Sequence, residues 1–382
     1  MREGWEYKKL GQVCTSDLGK TLNKSKDRGE LHPYLCSINI LWDKIDLSTL
    51  KQACFEAGEQ EKYTVRKGDL LVCEGGDTGR SAIWDRDETI LYQNALHRLR
   101  FHDSVFPKFV LFYLMYLKDI GEIDNKYSKG VTIKHLVKKA LLSIPLPLPP
   151  KPTQLSIVSE LDKLNELIQI KKEQLKDYDA LAQSIFYEMF GDPVEEGWDV
   201  KELGDICKTS SGGTPSKAHT EYYNGEIMWL RSGEVSQGDI YNTEQTITLL
   251  GLENSSAKIF PVNTVVIAMY GATVGQVGIL RKEMSTNQAI CGIFPNGDLP
   301  PEYLYYFLIS KKAEFLKSAI GGAQANISQQ IIRKTLIPLP PLSLQSSFTC
   351  KIRQIKLQKA AVQSTITDLE TLLAARMQYW FD

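Results

Sequence analysis

The chain has 382 residues, 43% hydrophobic and 24% charged, with 45 Lys and Arg against 46 Asp and Glu for a formal net charge of −1. That is the composition of a folded soluble protein, long enough for two or three domains, and it lacks the basic excess by which phosphate-binding proteins usually declare themselves. Apolar runs stop short of the roughly 18 residues a membrane helix needs, and the polar start MREGWEYKKL is unlike a signal peptide, so a cytoplasmic location is expected.

In chain order, the first elements are short β-branched runs such as Leu70 to Cys73, separated by glycine clusters, which read as strands and turns. An amphipathic helix follows Pro107, a proline at a plausible first-turn position. A Pro-Leu-Pro-Pro run from Pro147 then reads as a stiff, extended linker, preferred to a ligand for a proline-recognition module. From Leu161 a heptad pattern begins: Leu161, Leu164, Ile168, Lys171, Leu175, Tyr178, Ala182, Ile185 and Met189. Gly191 is placed as its C-cap, with Asp192-Pro193 as the stop.

Everything then recurs. GWEYKKLGQVC from Gly4 returns as GWDVKELGDIC from Gly197, and GDLLVCEGGDTGRSAI from Gly68 as NTVVIAMYGATVGQVGI from Asn263. Gln93-Asn94-Ala95 is echoed by Asn287-Gln288-Ala289, PKFVLFYL from Pro107 by PEYLYYFL from Pro301, and PLPPKPTQL by PLPPLSLQ from Pro338. All five offsets lie between 191 and 195, so the chain is a tandem duplication. The second heptad series is Ile352, Ile355, Lys359, Val362, Ile366, Leu369, Leu373, Arg376 and Trp380.

The expected fold class is α+β. Two similar α/β globules (1–150 and 193–342) alternate with two long helices (151–192 and 343–382) that pair as an antiparallel coiled coil about a pseudo-two-fold axis. Each helix, about 38 residues from Thr153 or Ser343, would span roughly 57 Å. A one-sided apolar stripe of that length needs a partner. The helices carry −2 and +2, which favours pairing over each packing only on its own globule.

Catalytic templates are missing. Gly19-Lys20-Thr21 ends like a P-loop, but Cys14 stands where the first glycine belongs. No G-x-S-x-G, H-E-x-x-H or strand-following G-x-G-x-x-G occurs, nor an Asn/Asp-Pro-Pro-aromatic segment. The five histidines (His32, His97, His102, His135, His219) do not repeat between the halves and read as ordinary surface or core residues. Seven cysteines form no zinc spacing and read as small buried hydrophobes.

Particular stretches carry a resemblance: Ser211 to Ser216 (SGGTPS), Met228 to Gly233 (MWLRSG), Gly321 to Ser328 (GGAQANIS) and Ile337 to Pro341 (IPLPP). In the first globule they are Pro33-Tyr34-Leu35, Asn39-Ile40 and Gly68 to Val72, with Lys129 to Ile133 (KGVTI) standing in place of GGAQANIS. Globule, PLPP junction and long helix, twice over, resemble the specificity subunit of type I restriction-modification systems across essentially the whole chain. The resemblance implies a non-catalytic protein whose globules are target recognition domains, each reading one half of a bipartite, asymmetric duplex DNA target. The helices would set the spacing and dock two methyltransferase subunits, with restriction or translocase subunits as further partners. S-adenosylmethionine and ATP are then expected on those partners, and no cofactor or metal on this chain. Readers at the ends of a stiff rod would need half-sites about one turn, 34 to 36 Å, or a multiple apart. Near-neutral charge implies that the partners supply much of the clamp.

Base edges are read by Arg, Lys, Asn, Gln, Ser and Thr. The DNA-binding candidates are Lys20, Tyr34, Arg80, Gln93 and Asn94 in the first globule. In the second they are Thr214, Arg231, Ser232, Thr273, Asn287, Gln288, Gln324 and Asn326. Because Gln93-Asn94 and Asn287-Gln288 recur, holding a strand edge is an equal reading for them. Gly75, Gly76, Gly271 and Gly275 are expected at positive φ in turns. Helix pairing and partner docking fall to Leu161, Leu164, Ile168, Leu175, Tyr178, Ile185, Ile352, Ile355, Val362, Ile366, Leu369 and Leu373. The competing readings are a coiled-coil scaffold whose globules bind protein or small ligands, and an enzyme of unfamiliar type.

Overall fold

The computed structural model describes residues 4–23, 28–130, 134–191, 197–294, 296–318 and 326–382, without the side chains of 236 and 237. It divides into two compact units, 1–172 with 364–382, and 173–363. Both boundaries fall inside long helices, so each unit is one globule plus part of each helix.

The first globule runs β1 (Glu6–Lys9), β2 (Cys14–Leu18), β3 (Glu30–Leu35), β4 (Ile40–Leu41), β5 (Lys44–Ile45), β6 (Lys51–Phe55) and α1 (Ala57–Lys62). It continues through β7 (Thr64–Val65), β8 (Leu70–Cys73), β9 (Ser81–Ile83), β10 (Ile90–Tyr92), β11 (Leu96–Phe101), α2 (Pro107–Asp119), α3 (Lys138–Ser143) and β12 (Pro145–Leu148). The first long helix, α4, spans Lys151–Phe190.

The second globule begins with β13 (Asp199–Glu202), α5 (Leu203–Ile206), β14 (Thr209–Ser211), β15 (Tyr223–Leu230), β16 (Asp239–Ile240), β17 (Gln245–Ile247) and α6 (Leu249–Glu253). There follow β18 (Ile259–Phe260), β19 (Val265–Ala268), β20 (Val277–Leu280), β21 (Met284–Thr286), β22 (Ile290–Ile293), α7 (Pro301–Ser310), α8 (Lys312–Ser318), α9 (Gln329–Arg333) and β23 (Leu336–Leu339). The second long helix, α10, spans Leu342–Phe381.

The duplication is one of topology. Sheet order β6-β3-β10-β7 in the first globule returns as β17-β15-β21-β18 in the second. Likewise β2-β11-β8-β9 returns as β14-β22-β19-β20, with β16 added at its edge. The apolar runs LLVC and VVIA are strands buried on both faces. Alternation by two sends Leu70 and Val72 toward the helices, and Leu71 and Cys73 toward the other sheet. Val265 with Ile267, and Val266 with Ala268, divide in the same way.

The proline run is not a free linker. Pro145–Leu148 pairs antiparallel with Glu6–Lys9, and Leu336–Leu339 with Asp199–Glu202. These are two-stranded ribbons, where a proline lacking its N–H is tolerated and the intervening Leu146 and Leu148 can be buried. The following glutamines tie ribbon to helix. Gln154 is buried, donates to the carbonyls of Pro149 (2.8 Å) and Ser104 (3.0 Å), and accepts from the Phe106 N–H (2.8 Å). Gln345 donates to the Pro340 carbonyl (2.9 Å), but its Oε1 has no partner among the described residues. Pro300 precedes α7 where Phe106 precedes α2, and a proline has no N–H to give.

Each helix is 40 residues long, about 60 Å. All eighteen heptad positions are buried or half-buried. In the first unit the pairing is antiparallel: Lys172 bonds Glu370 at 2.7 Å, while Arg376 and Trp380 both bond Glu160, the indole at 3.0 Å. In the second unit Lys359 pairs with Asp179, and Phe186 and Phe190 pack on Phe348 at 5.6 and 5.3 Å. The helix ends make a contact that the heptads did not indicate. Phe381 packs on Phe109 and Tyr113 of α2, both at 5.4 Å, and Phe190 packs on Tyr303 of α7 at 4.8 Å. Gly191 caps α4 at φ +41°, its N–H bonding the Tyr187 carbonyl; 192–193 lie outside the described residues.

Two smaller expectations need correction. Gly76, Gly271 and Gly275 have positive φ, but Gly75 does not; a Cβ there would stand 3.3 Å from the His135 ring. Among the cysteines, Cys350 is exposed and Cys54 half-buried. Burial pushes the thiols of Cys14 and Cys291 up to about 12, and those of Cys73 and Cys207 to about 11, so these four are inert.

Candidate nucleic-acid interface

In each globule the loops that leave the strand ends are laced into one layer by backbone hydrogen bonds, and the lacing is the same in both. Gly19 N–H donates to Leu96 O, Lys20 to Tyr92, Gln93 to Leu35, Glu74 to Ala95, and Leu136 to Glu74. The second globule repeats this with Gly212 to Ile290, Gly213 to Thr286, Asn287 to Leu230, Met269 to Ala289, and Ile327 to Met269. Close approach makes glycine obligatory at the first position. A Cβ on Gly19 would lie 2.3 Å from the Gln93 carbonyl, and one on Gly212 2.1 Å from Thr286 Oγ1. The Gly-Lys-Thr tripeptide that ends like a P-loop therefore packs against a neighbouring turn.

On this layer the second globule holds an open cavity of about 550 Å³. Four sequence candidates, Thr214, Arg231, Asn287 and Gln288, line it together with Lys217, Thr220, Tyr223, Asn224, Trp229, Gln245 and Thr246. Thr214 hydroxyl donates to Gln288 Oε1, so side chains 74 residues apart meet. Trp229 forms the floor, its indole N–H bonded to the Gly213 carbonyl at 3.0 Å. Ser232 opens the short helical turn after Arg231. Thr273 and Asn326 sit on the adjoining loop, Thr273 bonding the Tyr270 carbonyl and Asn326 bridging to Tyr270. Gln324 lies outside the described residues. Lys217, Gln245 and Thr246 are additions that sequence reasoning missed, since no repeated motif marks them.

The first globule places its candidates differently. Lys20 is 4% exposed, its ammonium held at 2.7 Å by both Glu59 and the Cys54 carbonyl, and 4.9 Å from the Phe55 ring centre. Tyr34 is buried against Phe55, and Arg80 bonds the Ser37 carbonyl at 2.9 Å. Asn94 bonds Thr21 Oγ1 at 3.1 Å, and Gln93 stacks its backbone between Lys20 and Leu35. Buried His97 places Nε2 2.9 Å from the Leu136 carbonyl; desolvation lowers its pKa below the usual histidine value.

Among the described residues no group of three or more His, Cys, Asp or Glu could hold a metal ion, and no helix is long and apolar enough to cross a membrane.

Two globules of matched strand order, each with a laced loop layer, define a class of duplicated framework that carries different side chains at equivalent places. Over residues 2–177 and again over 195–352 the chain matches the Type I restriction modification DNA specificity domain, and it belongs to that family. It is 31% identical over 152 residues to the Type I restriction enzyme MjaIX specificity subunit of Methanocaldococcus jannaschii, covering 38% of this chain and 35% of the relative. To the EcoR124I/EcoR124II specificity subunit of Escherichia coli it is 28% identical over 217 residues, 53% of this chain and 52% of the relative. These matches thus span a third to a half of the relatives' length. With the M. jannaschii MjaVIII specificity subunit the alignment is 23% identical and covers 92% of this chain and 86% of the relative. Two solved structures share the fold: a chain of a type I R-M system (TM-score 0.65, 20% identity, 100% of this chain and 98% of that one) and the S subunit from M. genitalium (0.53, 14%, 99% and 96%).

Proposed function

We propose that this chain is the DNA sequence-specificity subunit of a type I restriction-modification complex. Each globule reads one half of a bipartite, asymmetric target, and α4 and α10 set the gap and dock two methyltransferase subunits. The chain performs no bond chemistry itself; adenine methylation, with S-adenosylmethionine, belongs to the partners, as does ATP-driven restriction where a nuclease subunit joins. The observation that carries this reading is the loop layer: one backbone lacing made twice, with different side chains mounted on it. The modules are 1–150, 151–192, 193–342 and 343–382, and the place of action is the cytoplasm.

Co-expression with the cognate methyltransferase genes in a host lacking adenine methylation, followed by methylome sequencing, should reveal one two-part motif that disappears when this gene is removed. A methylation pattern independent of the gene would contradict the proposal. One heptad inserted into α4 should lengthen or abolish the permitted gap; an unchanged gap would remove the spacer role.

A further inference from the structure

Resting on the proposed function, we infer that Arg231 reads a guanine in the half-site of the second globule, aimed by the buried carboxylate of Glu234 and held by Glu244 until DNA arrives.

The first observation is a turn built twice. In the first globule Cys36 N–H donates to Asn39 Oδ1 at 2.9 Å, Asn39 N–H returns to the Cys36 carbonyl at 2.9 Å, and Asn39 Nδ2 bonds the Asp46 carbonyl at 3.0 Å. In the second globule Arg231 N–H donates to Glu234 Oε1 at 3.1 Å, Glu234 N–H returns to the Arg231 carbonyl at 3.0 Å, and Glu234 Oε2 accepts the Glu244 N–H at 2.8 Å. Both turns follow the strand, β3 or β15, whose final carbonyl takes the Gln93 or Asn287 N–H. A short buried thiol therefore satisfies the first position of this turn, and an amide satisfies the fourth. The framework needs neither an arginine nor a carboxylate.

Burying a carboxylate where an amide serves is costly unless the charge is paired. Glu234 is 4% exposed and lies 3.5 Å from Arg231 Nε, so the charge at the fourth position answers the guanidinium at the first. That contact is electrostatic: Arg231 Nε is buried and makes no hydrogen bond among the described residues, so the carboxylate orients the guanidinium by charge alone. The Arg231 side chain stays 40% exposed, lining the cavity, with Nη2 on Glu244, which is itself 65% exposed. An exposed ion pair of this kind contributes little and is readily exchanged.

Residues 191–342 hold three arginines. Arg281 is committed to Asp239, Glu302 and Asn263, and Arg333 lies against the Gly204 carbonyl. Arg231 is the one that lines the cavity, among the carboxamides of Gln245, Asn287 and Gln288 and the threonines Thr214 and Thr246. Arginine meets guanine O6 and N7 with two parallel hydrogen bonds from a rigid planar fork, whereas lysine reaches the same edge from a flexible point charge with less geometric constraint. The first globule has Cys36 in this place, so guanine recognition by this route belongs to one half-site.

The test compares the unaltered full chain with Arg231→Ala, Arg231→Lys and Glu244→Gln, each assembled with the methyltransferase subunits and read by methylome sequencing. R231A should lose discrimination at one G·C pair of one half-site by roughly 5- to 150-fold, R231K should lose less, and the other half-site stays intact as an internal control of folding. E244Q should keep the motif and methylate at lower enzyme concentration. Methylation weakened equally at every sequence, with no base relaxed, would assign the side chain to a phosphate and overturn the inference, as would an unchanged motif in R231A. If the unaltered chain directs no motif at all, the proposed function fails and takes this inference with it.

Discussion

The two globules share strand order, ribbons, glycine approaches and five loop-to-loop hydrogen bonds, yet differ in what stands on the loops. The first globule turns its polar groups inward: Lys20 is paired with Glu59, and Arg98, 7% exposed, bonds Asp17 and two carbonyls. The second carries Gly213 where the first has Lys20, and keeps a cavity open in front of Trp229. Recognition can therefore change by exchanging side chains on a framework that hydrogen bonding and close packing hold constant.

If the framework is common, damage to it must be equally severe in both halves. Gly19→Val and Gly212→Val, which drive a Cβ into backbone or Thr286, should each cost about 3 kcal/mol or more in denaturant unfolding. Gly233→Ala, where a Cβ meets nothing within 4 Å, should stay within about 0.5 kcal/mol. Marked tolerance at either Gly19 or Gly212 would break the equivalence.

Where the halves differ, the cost should differ. Gln154→Ala removes three hydrogen bonds and leaves the Phe106 N–H unpaired, which should cost about 2 to 4 kcal/mol; Gln345→Ala removes one and should cost about 1. Pro300→Ala offers Gln345 Oε1 the missing donor, so the Q345A penalty should rise by about 1 kcal/mol in that background. Equal penalties for Q154A and Q345A would show that Pro300 is not the cause.

The smallest effect concerns the helix pair. Arg376, with Trp380, holds the Glu160 carboxyl below the usual range. A depressed folded-state pKa contributes stability that is present above the unfolded value and lost as pH falls through the folded one. Glu160→Gln should remove that acid dependence, yet cost under about 1 kcal/mol at neutral pH because the pair is a third exposed.

Most of the framework was legible in the sequence because periodicity is a property of neighbours. The eighteen heptad positions are all buried or half-buried, and LLVC and VVIA are strands residue for residue. The aromatic ends Phe190 and Phe381 were missed because they sit one position beyond the heptad register and bury themselves against globules rather than along the seam. The proline runs misled because their strand partners, β1 and β13, lie more than 130 residues away. In the site, repeated motifs located the loops, but Glu234 could not be assigned a role. Its meaning depends on the parallel turn at Cys36 and Asn39, whose residues share no identity with it.

The most direct measurement exchanges residues 1–145 for the corresponding globule of another family member and sequences the methylome of the assembled complex. One half-site should change while the other half and the gap between them persist. Simultaneous change of both halves would contradict the account of two independent readers on a shared framework.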